Sequence, residues 1–138
     1  MPAIRPGGAE DLAAIAAIQA ASPEAAQWKA TDYLACRLLV ATGDAGVVGF
    51  LAARSVAADE VEILNLAVKP EFRRRGVARD LIAALLREYQ GTFFLEVRES
   101  NQPAQCCYKS LGFQVVIRRP DYYQRPPDAA IVMKFHSC

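Results

Sequence analysis

The sequence predicts an α/β protein of the α+β kind, a mixed and mostly antiparallel central sheet with helices on both faces. Three observations predict it. Short apolar runs bounded by Gly and Pro are interleaved with segments of helical period. In the middle of the chain the apolar run Val61–Val68 stops at Lys69-Pro70, and apolar residues return at Val77, Leu81, Ile82, Leu85, Leu86 and Tyr89. The first spacing suits a strand and the second a helix, so the centre reads strand, turn, helix. Finally, 138 residues of which 53% are hydrophobic supply the core of one domain, expected to span residues 1–138.

Each element follows from its residues. Ala3-Ile4-Arg5-Pro6 is a short strand stopped by Pro6-Gly7-Gly8. Glu10 and Asp11 put acidic charge in the first turn of a helix whose buried stripe is Leu12, Ile15 and Ile18, and Ser22-Pro23 ends it. A shorter helix is expected from Thr31 to Cys36, with Trp28 in the connection before it. Leu38–Thr42 and Val47–Val56 read as strands joined by the turn Gly43-Asp44-Ala45-Gly46. Val61–Val68 and the helix from Val77 follow, closed by Glu88–Gly91. Thr92–Val97 is a compact apolar strand. Asn101 or Ser100 caps the next helix, Pro103 lies in its first turn, and Gly112 sits beyond its end. Ala104, Cys107, Tyr108 and Leu111 share one face of it. Val115–Arg118 and Ala129–Phe135 complete the sheet, with residues 119–127 as a loop carrying Tyr122 and Tyr123.

Composition narrows the function. The net charge is +1, from 16 basic and 15 acidic residues, which provides no general attraction for nucleic acid. The arginines are clustered nonetheless, at Arg73, Arg74, Arg75 and Arg79 and again at Arg118, Arg119 and Arg125, so local anion binding is open. Four cysteines, at 36, 106, 107 and 138, lack paired CxxC spacing for zinc, and no metal is expected. Reduced thiols, no visible signal peptide and no apolar run of membrane-spanning length point to a cytoplasmic protein away from membranes; a monomer or weak dimer is expected.

The turn Arg73-Arg74-Arg75-Gly76 at the start of the central helix aims backbone N–H groups and a helix N-terminus at one point, which suits a pyrophosphate. Gly76 leaves room for close backbone approach. A basic turn of this kind is equally read as a solvated surface. What separates the two is resemblance. Arg73-x-x-Gly76-x-Ala78, following Leu66-Ala67-Val68, resembles the acetyl-CoA signature of the GNAT N-acetyltransferase superfamily. Arg replaces the usual Gln at its start and Ala the usual Gly at its end, and neither change removes a backbone donor. A second block, Leu95-Glu96-Val97-Arg98-Glu99-Ser100-Asn101 with Tyr108-Lys-Ser-Leu-Gly-Phe113, resembles the RimI type, the ribosomal-protein alanine N-acetyltransferases. The likeness covers about residues 1–136, most strongly from Asn65 onward.

The resemblance implies a GNAT-like sheet, acetyl-CoA as cosubstrate, and a primary amine as acceptor, foremost a protein N-terminus such as that of a ribosomal protein. Transfer would be direct, in a ternary complex. It assigns cofactor contact to Leu66, Ala67, Val68, Arg73, Arg74, Arg75, Gly76, Val77, Ala78, Arg79 and Asn101. Glu96 would be the general base and Tyr108 the general acid, and Tyr122 and Tyr123 would meet the acceptor; Trp28, by its place in the connection before the second helix, is a further candidate to line the acceptor's entrance. Each has a plainer reading. Glu96 is otherwise a solvated carboxylate, Tyr108 a core aromatic, Asn101 a simple cap, and Trp28 and the tyrosines packing residues. The apolar neighbours of Glu96 suggest partial burial, which would make it a stronger base.

Elementary energetics favours an α-amine. With a pKa of ~8 it costs about 1.4 kcal/mol to deprotonate at pH 7, against roughly 4.6 for a lysine of pKa ~10.4. A single carboxylate is adequate to the first task. The alternatives are a GNAT enzyme for a small amine or a lysine, and a CoA-binding domain without catalysis. A covalent route through Cys106 or Cys107 is set aside, because the single histidine, His136, is remote in sequence.

Overall fold

The computed structural model describes residues 2–124 and 126–137. Arg125 and Cys138, counted above among the arginines and cysteines, lie outside the described residues, as does Met1. The elements run β1 (Ala3–Pro6), α1 (Leu12–Ala20), β2 (Arg37–Gly43), β3 (Gly46–Ala57), β4 (Glu60–Val68), α2 (Val77–Glu88), β5 (Gly91–Arg98), α3 (Gln102–Ser110), β6 (Gln114–Gln124) and β7 (Pro127–Ser137). Short 3-10 helices lie at Ala9–Asp11, Ala30–Ala35 and Pro70–Phe72. Strands are hydrogen-bonded in the order β1-β2-β3-β4-β5-β7-β6. The β4–β5 pair is parallel, while β1–β2, β2–β3, β5–β7 and β6–β7 are antiparallel. This is the mixed sheet that the sequence predicts. The chain groups into two compact units, Met1–Arg54 with Leu64–Tyr89 and Ser55–Ile63 with Gln90–Cys138.

In the first unit, Leu38 to Ala41 of β2 and Val47 to Ala53 of β3 are buried without interruption. Successive strand residues point to opposite faces, so such runs require both faces to be covered. Ile15 and Ile18 of α1 cover one face, in a cluster with Tyr33, Leu38, Val40, Phe50, Ala52 and Ala67. On the other, Val77 of α2 comes so close that a Cβ on Gly49 would stand 3.2 Å from its side chain. The expected short helix at Thr31–Cys36 is a six-residue 3-10 helix, Ala30–Ala35, in which Tyr33 alone is buried.

Asp11 does more than bring acidic charge to the turn that opens α1. It lies in the 3-10 turn before α1, 3% exposed, and accepts bonds from Arg5 at 2.8 and 2.9 Å and from the Gly8 amide at 2.9 Å. The Arg5 guanidinium holds its carboxyl below the usual carboxylate range, against the opposing effect of burial. A lowered folded-state pKa contributes stability that is present above pH ~4 and lost as pH falls through the folded value. Asp11→Asn is therefore expected to cost about 1–3 kcal/mol at pH 7, with the deficit shrinking on acidification. Urea titrations at pH 7 and pH 3 check this; an equal deficit at both would assign Asp11 to packing.

In the second unit, Phe93, Leu95 and Val97 form the buried face of β5. Asn101 caps α3, its side-chain oxygen accepting from Ala104 N at 3.2 Å. The helix closes with two crossed bonds, Gly112 N to Lys109 O and Phe113 N to Tyr108 O, both 3.0 Å. This closure needs a left-handed residue, and Gly112 supplies φ +101°. Tyr108, Phe113, Phe135 and Phe93 then stack in sequence, with centroids 5.8, 5.5 and 6.4 Å apart.

The last two strands are longer than their apolar runs. Where a loop was expected at 119–127, the ladder resumes with Tyr123 opposite Asp128 and Gln124 opposite Pro127. A register shift between Arg119 and Tyr123, with Asp121 at φ +56°, absorbs the extra residues. Pro120 is tolerated because β6 is an edge strand. No helix among the described residues is long and apolar enough to cross a membrane.

Candidate active site

Residues 66–79 and Trp28 belong to the first unit, and Glu96, Asn101, Tyr108, Tyr122 and Tyr123 to the second.

In the first unit β4 ends as Lys69 N bonds Val48 O at 2.8 Å, and Pro70 opens a 3-10 turn. Arg73 then folds back, Nε to Val68 O at 3.1 Å and Nη2 to Ser22 Oγ at 3.0 Å, with Glu24 at 3.4 Å. Its guanidinium thereby ties the turn to the segment after α1. Arg75 lies 5.4 Å over the Phe72 ring. Arg74 (φ 64°) and Gly76 (φ 82°) are both left-handed, and Gly76 is the N-cap of α2. Among the described residues, no acceptor meets the backbone N–H groups of Arg74, Arg75, Gly76, Val77 or Ala78. Beyond its own chain neighbours, a Cβ on Gly76 would find nothing within 4 Å among the described residues. The turn is thus a concave row of donors at a helix N-terminus with open space before it, an arrangement that fits a diphosphate. Arg74, Arg75 and Arg79 are exposed around it, whereas Val77 is buried and serves packing.

The backbone of β4 is less open. Leu66 N donates to Asn65 Oδ1 at 3.0 Å, and Val68 O already accepts from Arg73. A ligand bonding either group competes with these partners. Ala67, at 7% exposed, faces the core.

Asn65 belongs to a buried network that sequence reading did not anticipate. Its Nδ2 donates to Ala26 O at 2.9 Å and to the Tyr33 hydroxyl at 2.7 Å. Tyr33 donates to Gln19 Oε1, and Gln19 Nε2 donates to Trp28 O at 2.7 Å. Trp28 stacks on Tyr33 with centroids 5.3 Å apart, so it is a packing anchor. It also lines an open concavity of about 570 Å³ with Gln27, Lys29 and Asp32.

In the second unit Glu96 points away from the Phe93–Leu95–Val97 face, since it alternates with them along β5. It lines a concavity of about 220 Å³ with Val56, Glu62, Phe94, Arg119 and Val132. The carboxylate, 28% exposed, accepts from Arg119 Nη1 at 3.4 Å. Its surroundings are therefore half apolar and half ionic.

Tyr108 stands on the opposite face, in the aromatic stack, at 8% exposure. Burial pushes its phenol well above the usual range, so it is protonated at every physiological pH. No hydrogen bond to its hydroxyl occurs among the described residues. Asn101 engages its side-chain oxygen in the α3 cap. Tyr122 is 48% exposed and edge-on to Tyr123, centroids 5.2 Å apart. The Arg98 guanidinium lies 4.2 Å over the Tyr123 ring. No cluster of metal-binding side chains exists among the described residues.

A model of the acetyltransferase (GNAT) family matches residues 10–113. The chain belongs to the GNAT family. That match takes in the donor-rich turn, Glu96, Asn101 and Tyr108, and stops before the two hairpin tyrosines. This GNAT chain is 39% identical over 85 residues to the ribosomal protein bS18-alanine N-acetyltransferase of Haemophilus ducreyi. The match covers 56% of the chain and 59% of that relative, so the chain spans less than two thirds of it. Its fold is similar to the ribosomal-protein-S18-alanine N-acetyltransferase of Escherichia coli, with 28% identity and a TM-score of 0.83 over 98% of this chain and 93% of that one. Ard1 from Thermoplasma volcanium is also similar, with 28% identity and a TM-score of 0.88 over 99% and 98% of the two chains.

Proposed function

We propose that this GNAT protein is an acetyl-CoA-dependent N-acetyltransferase for the N-terminal α-amine of a protein, acting as a single domain in the cytoplasm. The observation that carries the reading is the turn at Arg74–Ala78, whose backbone donors meet no acceptor among the described residues and whose glycine faces open space. Backbone groups there would hold the diphosphate of CoA, with Arg74, Arg75 and Arg79 adding diffuse positive charge.

The chemistry is aminolysis of a thioester. The amine nitrogen attacks the acetyl carbon, the amine's proton goes to a base, and the C–S bond breaks as the thiolate leaves and takes up a proton. Glu96 and Tyr108 occupy opposite faces of β5, which suits an acceptor and a leaving group on opposite sides of the strand. Glu96 takes the amine proton. Tyr108, held protonated, is the general acid: its hydroxyl hydrogen-bonds the departing sulfur and supplies the proton that the sulfur takes up, and solvent then restores the phenol. Asn101 caps α3 and offers its amide to the cofactor's linker. Similarity to a ribosomal protein bS18-alanine N-acetyltransferase supports a ribosomal-protein acceptor acetylated at an alanine, and the lower cost of deprotonating an α-amine supports a protein N-terminus over a lysine.

Mass spectrometry of peptides differing in their first residue, incubated with enzyme and acetyl-CoA, tests the reading. Acetylation at the α-amine is expected. Acetylation confined to lysine ε-amines would replace the acceptor class, and CoA binding without turnover would leave a non-catalytic domain. Gly76→Val is expected to weaken CoA binding at least tenfold, because it fills the space before the donors and strains a left-handed position by about 1–2 kcal/mol. Single Arg74→Ala or Arg75→Ala changes are expected to do much less. Calorimetric titration with CoA decides between them; unchanged affinity in Gly76→Val would remove the diphosphate from this turn.

A further inference from the structure

We infer that Arg98 is a positioning residue that holds Tyr123 on the Glu96 face of β5 and thereby sets the affinity for the acceptor, an inference that rests on the acetyltransferase reading above. Arg98 and Glu96 are two residues apart on one strand, so their side chains leave the same face. The ladder continues that face across the sheet: Arg98 is opposite Ala130, Glu96 opposite Val132, and Tyr123 opposite Asp128. The register shift before Tyr123 decides which of the two adjacent tyrosines turns inward. Tyr122 stands 48% exposed, whereas Tyr123 lies beneath the Arg98 guanidinium at 4.2 Å.

Arg98 is itself held from two sides. Its Nη1 donates to Pro126 O at 2.8 Å and lies 4.0 Å from Asp128 Oδ2. Asp128 is anchored in turn, Oδ2 accepting from Ser100 Oγ at 2.5 Å and Oδ1 from Ala129 N at 2.9 Å. The hairpin tip, the end of β5 and the residue before the α3 cap are therefore joined through one guanidinium. A planar, charged fork is suited to this, since it stacks on an aromatic face and bonds a carbonyl in the same pose. A polypeptide acceptor approaching Glu96 would meet the Tyr123 ring beside it. A small amine that ended at Glu96 would not need the ring, so the arrangement favours a peptide chain.

The test uses the full-length protein, with an acceptor peptide found by mass spectrometry. Arg98→Met and Tyr123→Leu are each expected to raise the acceptor KM about tenfold, with kcat and the Kd for CoA changed less than twofold. The double variant is expected to fall short of the product of the two effects, because both remove the same contact. Arg98→Lys, which keeps a cation over the ring and loses the fork, should lie between wild type and Arg98→Met. Amide hydrogen exchange across residues 119–128 should quicken in Arg98→Met without activity being involved. Unaltered exchange would overturn the positioning role, even for a protein that acetylates no peptide. Faster exchange with an unaltered acceptor KM would overturn the link to acceptor affinity. Failure of the wild type on every peptide would instead overturn the acetyltransferase reading, and with it that link.

Discussion

Tyr108→Phe is expected to lower kcat by about 10²–10⁴-fold while leaving the fold and most of the CoA affinity in place. The ring is what the structure uses, in its 5.8 Å contact with Phe113 and the stack beyond, and phenylalanine preserves it. The backbone carbonyl that closes α3, Tyr108 O to Phe113 N, is also unaffected. Only the hydroxyl is removed, a group with no described protein partner, so its loss leaves no unsatisfied atom behind. Initial rates at saturating acetyl-CoA and peptide, with melting temperatures alongside, make the measurement. Because burial drives the phenol up from its ordinary value, the wild-type rate should not decline between pH 7 and 10 through ionisation of Tyr108. Equal turnover for Phe and Tyr would assign the residue to packing alone.

Glu96→Gln is expected to show its largest deficit at low pH. There the acceptor amine is protonated and removal of its proton limits the rate. As pH rises past ~8, free α-amine becomes abundant and the variant should recover relative to wild type. With a lysine acceptor the recovery would lie beyond pH ~10, so the position of the crossover also reports the acceptor class. The substitution leaves Arg119 without its carboxylate, but a partly exposed pair at 3.4 Å contributes about 1 kcal/mol or less, so stability should barely change. Initial rates of both forms with one peptide from pH 6 to 9.5 decide the matter, provided chemistry limits turnover. A deficit constant across that range would leave Glu96 as a positioning residue.

The elements legible in the sequence are those whose cause is local. Pro70 halts β4, Gly76 takes a left-handed φ, Asn101 caps α3 and Gly112 closes it, each through bonds to residues within about five positions. Alternation along β5 likewise sets Glu96 apart from Phe93, Leu95 and Val97. The donor-rich turn was readable for the same reason, since a helix N-terminus presents its own unpaired amides whatever surrounds it.

The tertiary structure decided everything that depends on distant partners. Arg119 reaches Glu96 across 23 residues, Asn65 meets Tyr33 across 32, and Ser100 anchors Asp128 across 28. No local propensity encodes such pairs. The same holds for Asp11, which local charge logic places in a helical turn and whose buried carboxylate is paired with the partly exposed Arg5. At 119–127, Pro120, Pro126 and Pro127 argue locally for a loop and against a ladder, whereas an edge strand with a register shift accommodates them. That Glu96 and Tyr108 stand on opposite faces of β5 follows from the packing of α3 against the Phe113–Phe135–Phe93 stack. Strand periodicity sets only the directions of the side chains; burial of the aromatic face chooses the side on which the helix lies.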